Sequence, residues 1–138
     1  MFCKEFCNSE KICDIGILIL RIGIGLMFIY HGLPKIMGGL NMWQGLGKTM
    51  SLFGINFIPT FWGFMASFAE FFGGIFIVLG IFFRPACFLL LINMIVASLM
   101  HLLKGDGLLV ASHAIEMSIV FLSLIFIGSG KFSLCNKR

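Results

Sequence analysis

Four long apolar runs divide the chain, and the polar residues that interrupt them are few enough to name. The first covers residues 15–33, apolar except for Arg21 and His31, and has the roughly 20 residues that a helix needs to cross a bilayer core. The second covers residues 60–83 and holds Glu70; the third covers 86–103, with His101 near its far end; the fourth covers 108–127, with His113 and Glu116. Between the first two, Trp43, Leu46, Met50 and Phe53 recur at helical spacing, with Gln44, Lys48 and Ser51 off that stripe. This predicts a short interfacial helix, although Gly45, Gly47 and Gly54 keep an irregular apolar loop as the alternative. Pro34, Pro59 and Pro85 fall at the expected helix boundaries. The expected fold class is an all-α integral membrane protein: a four-helix transmembrane bundle over residues 15–134, with short tails at 1–14 and 135–138.

Composition narrows the picture further. The chain is 59% hydrophobic and 12% charged, with a mean hydropathy of +1.06, against roughly 25% charged for soluble domains. The net charge of +4 does not point to nucleic acid, because most basic residues flank apolar runs and no basic face with interleaved polar groups exists. Lys4, Lys11, Arg84, Lys131, Lys137 and Arg138 lie on one side of the expected topology, and Lys35, Lys48 and Lys104 on the other. The excess predicts that both termini are cytoplasmic. The first run is too long for a signal-peptide core, is preceded by Glu5, Glu10 and Asp14 and lacks a small-residue cleavage site, so it is expected to be retained.

The ionisable residues inside the runs carry the functional argument, since such groups are costly in lipid and face protein or water. Arg21 and Glu70 are the expected buried ion pair, with a role either in ligand chemistry or in helix packing alone. At about 1.5 Å of rise per residue, His31, Glu70, His101, His113 and Glu116 fall in the outer half of the membrane, which predicts a polar chamber toward the non-cytoplasmic side. His31, Lys35, His101, His113 and Glu116 are its candidate lining. His113-x-x-Glu116 is single and reversed relative to the paired Glu-x-x-His of di-iron bundles, so no metal is expected. A quinone head group suits the same inventory: histidine donates to carbonyl oxygens, and a glutamate in a low-dielectric site exchanges protons. Cys3, Cys7, Cys13 and Cys135 lack zinc or cluster spacing and are expected as free thiols on the cytoplasmic side.

Arg21 with Gly23 and Gly25, then Tyr30-His31-Gly32-Leu33-Pro34-Lys35, Glu70-Phe71-Phe72-Gly73-Gly74, Leu79-Gly80, His101, His113, Glu116 and Gly128-Ser129-Gly130-Lys131-Phe132-Ser133-Leu134 occur in that order. In these motifs the chain resembles the DoxX family of small bacterial membrane proteins, over about residues 15–134. Where the family usually continues with Asp, this chain has Cys135. The resemblance implies a four-helix protein of the bacterial inner membrane and a link to redox chemistry, in which some relatives pass electrons from sulfur compounds to quinone. The expectation is therefore a membrane subunit of a redox system that binds quinone or a similar small partner, with a soluble or membrane oxidoreductase subunit supplying electrons and a homo-oligomer as an open possibility. With no cofactor fingerprint, the chain is expected to be at most an accessory subunit of an oxidoreductase. A small proton-coupled transporter and a ligand-free assembly protein are the competing classes.

Overall fold

A computed structural model of the chain describes residues 10–135. Five α-helices follow in order: α1 (Glu10–Met37), α2 (Gly39–Gly47), α3 (Pro59–Leu79), α4 (Phe83–Lys104) and α5 (Leu108–Ile127), with a 3-10 helix at Lys48–Phe53 after α2. The four long helices have the length and apolarity to cross a membrane, and the short helix lies between spans one and two. The protein is a multi-pass membrane protein whose spans contact the lipid bilayer.

Helix ends differ from the apolar runs for local reasons. α1 begins at Glu10, inside the expected polar tail, and passes through Pro34 to Met37. A proline removes one backbone hydrogen bond, and so near a C-terminus it need not end the helix. Gly39, at φ +66°, turns the chain instead. α3 stops at Leu79 because Gly80 adopts the left-handed conformation and donates its N–H to Ile77 O and Phe76 O, while Ile81 N–H also reaches Phe76 O, a Schellman-type end. α4 then begins at Phe83, with Pro85 in its first turn.

α1 and α3 pack backbone to backbone. A Cβ on Gly74 would meet Gly25 O at 2.8 Å and Ile29 N at 2.9 Å, and one on Gly32 would meet Phe71 N at 2.5 Å. Small residues permit such approach, and the van der Waals packing it allows is one of the forces that associate helices in lipid. α2 runs antiparallel along the start of α3: a Cβ on Gly63 would collide with Trp43 O, and one on Gly47 with Pro59 O. The spans pack in the order α1, α3, α4, α5, and among the described residues α1 and α5 nowhere approach within 8 Å between Cα atoms. They meet through side chains, the Phe28 and Phe121 rings packing edge to face with centroids 5.0 Å apart. Ile77, Leu90, Phe121 and Leu124 complete a fully buried core. Ser67, Ser98 and Ser118 return their hydroxyl protons to the carbonyl four residues back, which satisfies them without water.

The α1–α3 contact makes a prediction. Gly74→Val should lower stability by about 2 kcal/mol, as overpacking does, whereas Gly23→Val, with open space around its Cβ, should cost a small fraction of that. Unfolding of each purified variant in graded detergent denaturant checks the contrast.

Candidate functional site

Two buried polar centres lie along the bundle. The basal one surrounds Arg21, which is 1% exposed. Its Nε donates to Ile77 O at 3.0 Å and its Nη2 to Val78 O at 2.8 Å, while Nη1 donates to Ser129 O at 2.7 Å and Phe132 O at 3.2 Å. Ile77 and Val78 are in the last turn of α3, where carbonyls lack helical partners and the dipole favours a cation. Arg21 therefore caps α3 from a neighbouring helix and holds residues 128–135 against it. Asp14 accepts the Lys131 backbone N–H at 3.0 Å, Lys131 Nζ reaches Glu10 at 2.7 Å, and Leu134 N–H donates to Leu79 O. The expected Arg21–Glu70 ion pair is not formed. The carbonyls beside Arg21 supply its hydrogen-bond partners, and Glu70 lies further along α3.

Glu70 belongs to the second centre. It is 6% exposed and about 14 Å along α3 from its end at Leu79, by helical rise. Lys35 Nζ donates to its Oε2 at 2.5 Å and Asn93 Nδ2 to its Oε1 at 3.0 Å. Lys35 reaches it because α1 continues past Pro34, so Phe28, Gly32 and Lys35 fall on one helix face. Trp43 Nε1 donates to Lys35 O at 2.9 Å, tying α2 to the last turn of α1.

A cavity of about 190 Å³ opens beside this cluster, with lining from all four spans. Lys35, Glu70, His31, His101 and His113 all face it, and Phe28 closes its basal side. His101 also pairs through Nδ1 with Asp106 at 2.8 Å. A smaller cavity, of about 110 Å³, lies on the other side of the cluster and touches Lys35, Glu70 and Asn93. The arrangement offers donors from lysine, amide and imidazole and one carboxylate that can take up or give a proton.

Glu116 is the expected lining residue that the structure leaves out. α5 turns Ala111, Ala114, Phe121 and Leu124 inward, and Glu116, two positions beyond Ala114, is exposed on the far side with no hydrogen-bond partner among the described residues. Cys3 and Cys7 lie outside the described residues; Cys13 and Cys135 are exposed free thiols. No group of three or more His, Cys, Asp or Glu side chains is placed to hold a metal among the described residues. Asn93, uncharged, lies outside the expected lining, yet the sequence carries a signal for it: Asn93, Ala97 and His101 share one face of α4 at spacings of four.

These features define a four-span membrane protein with a charged, hydrogen-bonded cluster inside the bilayer. A profile of the DoxX family, described as DoxX, matches residues 16–102, and the chain belongs to that family. The match takes in Arg21, His31, Lys35, Glu70, Asn93 and His101 and stops before α5. Among curated relatives, a Bacillus subtilis protein named "Putative oxidoreductase CatD" is 30% identical over 96 residues, covering 70% of this chain and 66% of that protein. An uncharacterized protein of Haemophilus influenzae is 31% identical over 140 residues, covering 94% of this chain and 96% of its own. No solved structure matches.

Two predictions follow from the bonding pattern. Arg21→Lys keeps the charge but not the planar fork that reaches two helix-end carbonyls and two tail carbonyls at once. Amide exchange at Leu134 should then rise toward the unprotected rate, with a loss of about 2 kcal/mol, the scale of hydrogen bonds to a charged donor. Lys35→Met should cost about 3 kcal/mol by stranding the Glu70 carboxylate, and adding Glu70→Met should restore much of it. A double-mutant cycle in detergent denaturant reads the coupling.

Proposed function

We propose that this protein is a membrane subunit of a redox system that binds quinone, or a comparable small redox partner, at the Lys35–Glu70–Asn93 cluster. The observation that carries the reading is the convergence of a lysine, a carboxylate and an amide between two cavities inside the bundle, one of which three imidazoles line toward the Gly105 end, with His31 and His113 exposed there. Ionisable residues held there mark ligand or proton pathways. The relative named as an oxidoreductase supports a redox context.

The residue types fit a quinone head. Its two carbonyl oxygens accept hydrogen bonds, and Lys35 and Asn93 are donors on one side of the cluster, with the imidazoles on the other. When bound, a quinone supplies the two-electron, two-proton capacity that side chains lack. Glu70, held by two donors, is placed to exchange protons with such a ligand, and His31, His101 and His113 line the space between it and the Gly105 end of the bundle. Electrons enter from a partner oxidoreductase subunit in this reading, and the chain is an accessory subunit of the bacterial inner membrane. The positive residues flanking the basal end support its assignment to the cytoplasm.

A second reading, a proton-coupled carrier, is favoured by the cavities lying on both sides of the Lys35–Glu70 pair. An oxidised-minus-reduced ultraviolet spectrum of the protein purified in native lipid separates the two. The redox reading expects a stoichiometric quinone signal that survives lipid exchange and falls at least about tenfold, or 1.4 kcal/mol in affinity, in Glu70→Gln. A featureless spectrum from folded protein overturns it, and proton-coupled solute flux through reconstituted vesicles would then support the carrier.

A further inference from the structure

A third cavity lies on the lipid-facing side of the bundle. This groove between α3 and α4 has a volume of about 310 Å³ and apolar walls, among them Phe61, Met65 and Phe68 from α3 and Leu89 and Ile92 from α4. Phe61, Met65, Leu89 and Ile92 are exposed, hence directed at lipid. At its inner wall stands the Asn93 amide.

Trp62, Ala66, Asn93 and Val96 line both this groove and the inner cavity of about 110 Å³, and that cavity reaches Lys35 and Glu70. Lys35, Glu70 and Ala97 in turn line both the inner cavity and the polar one. Ala66, from α3, and Val96, from α4, thus stand between the lipid-facing groove and the cavity beside the buried ion pair.

We infer that the ligand of the Lys35–Glu70–Asn93 cluster is an amphiphile with an uncharged, carbonyl-bearing head and an apolar tail, and that it reaches the cluster sideways from the lipid between α3 and α4, through a throat that opens between Ala66 and Val96. This rests on the reading of the cluster as a redox-partner site. The depth of the site selects the head. Asn93 is about 15 Å along α4 from Phe83, by helical rise, so a phospholipid head anchored at the interface does not reach it. A charged head would also add a third charge to a pair that already balances, at a large desolvation cost. A neutral carbonyl escapes that cost and finds donors, since Asn93 spends one N–H on Glu70 and keeps its second without a partner among the described residues. The apolar walls select the tail, because the groove gives the cluster's ligand an apolar bed continuous with the surrounding chains.

The test is equilibrium binding to the full chain in nanodiscs, corrected against empty discs, with a decyl-tailed benzoquinone and its tail-less parent as probes and decanol as a tail-only competitor. The wild type should bind the tailed probe at least about tenfold more tightly than the tail-less one, without displacement by equimolar decanol. Ala66→Trp and Val96→Phe, which fill the throat from opposite walls, should each weaken the tailed probe by about tenfold or more, while Phe126→Trp on the lipid face of α5 should leave it within about twofold. Should Ala66→Trp fail to fold, Val96→Phe carries the same comparison. Equal binding of both probes, displacement by decanol, or throat variants that bind as the wild type does would overturn the sideways route and leave the redox reading standing. Failure of folded wild-type protein to bind either probe would overturn both.

Discussion

The structure depends on a requirement that lipid imposes without exception: every buried polar group must find its partner inside the protein. Among the described residues, no buried side-chain nitrogen or oxygen lacks one. Arg21 shows how demanding this is. Its guanidinium carries five N–H donors, and hydrogen bonds to carbonyls at the end of α3 and in residues 129–132 engage four of them. Those contacts fix where α3 ends relative to α1 and where the chain goes after α5. The register they set also places Gly25 and Gly32 against α3. Phe28 can then meet Phe121, and Lys35 comes level with Glu70.

The two polar centres divide the labour. At the basal end a cation meets neutral carbonyls, so the interaction ties elements together and offers little to a ligand. At mid-membrane a cation meets a carboxylate beside an amide, with cavities on both sides. Buried ion pairs are an inefficient source of stability compared with apolar packing. A pair that adjoins open space is easier to understand as something to be rearranged by a ligand than as a clamp.

Much of this was legible in the sequence. Run length and the placement of the prolines marked four spans, because crossing a bilayer requires so many consecutive apolar residues that alternatives are few. The ionisable residues in the runs marked the polar interior for the same reason. The partners of Arg21 were not legible, since backbone carbonyls occur at every position and only folding decides which are left over. Glu70 was paired with the wrong cation because Pro34 read as a helix terminator, which put Lys35 in a loop; one further turn of α1 brings it inward. Glu116 was placed in the chamber on its depth and its spacing from His113, yet His113 already lies at the exposed edge of the inward face of α5, and the further turn of about 60° over three residues takes Glu116 to the outside. Asn93 was passed over as a neutral residue in an apolar run, although a lone amide at that depth needs a partner as much as a charge does.

The spacing of the Arg21 contacts along the chain bears on how the protein is made. Arg21 precedes its nearest partner, Ile77, by 56 positions and its farthest, Phe132, by 111. When the first span leaves the ribosome, none of those carbonyls exists, and an arginine in a lone apolar helix opposes insertion by about 2.5–3.5 kcal/mol at the helix centre. Half of the compensation arrives with α3 and the other half only after α5 has been synthesised. α1, made before the other three spans, is thus the last of the four to be fully secured, and a chain released before residue 129 would carry α1 into the membrane with the guanidinium half-bonded, a defect open to quality-control proteases.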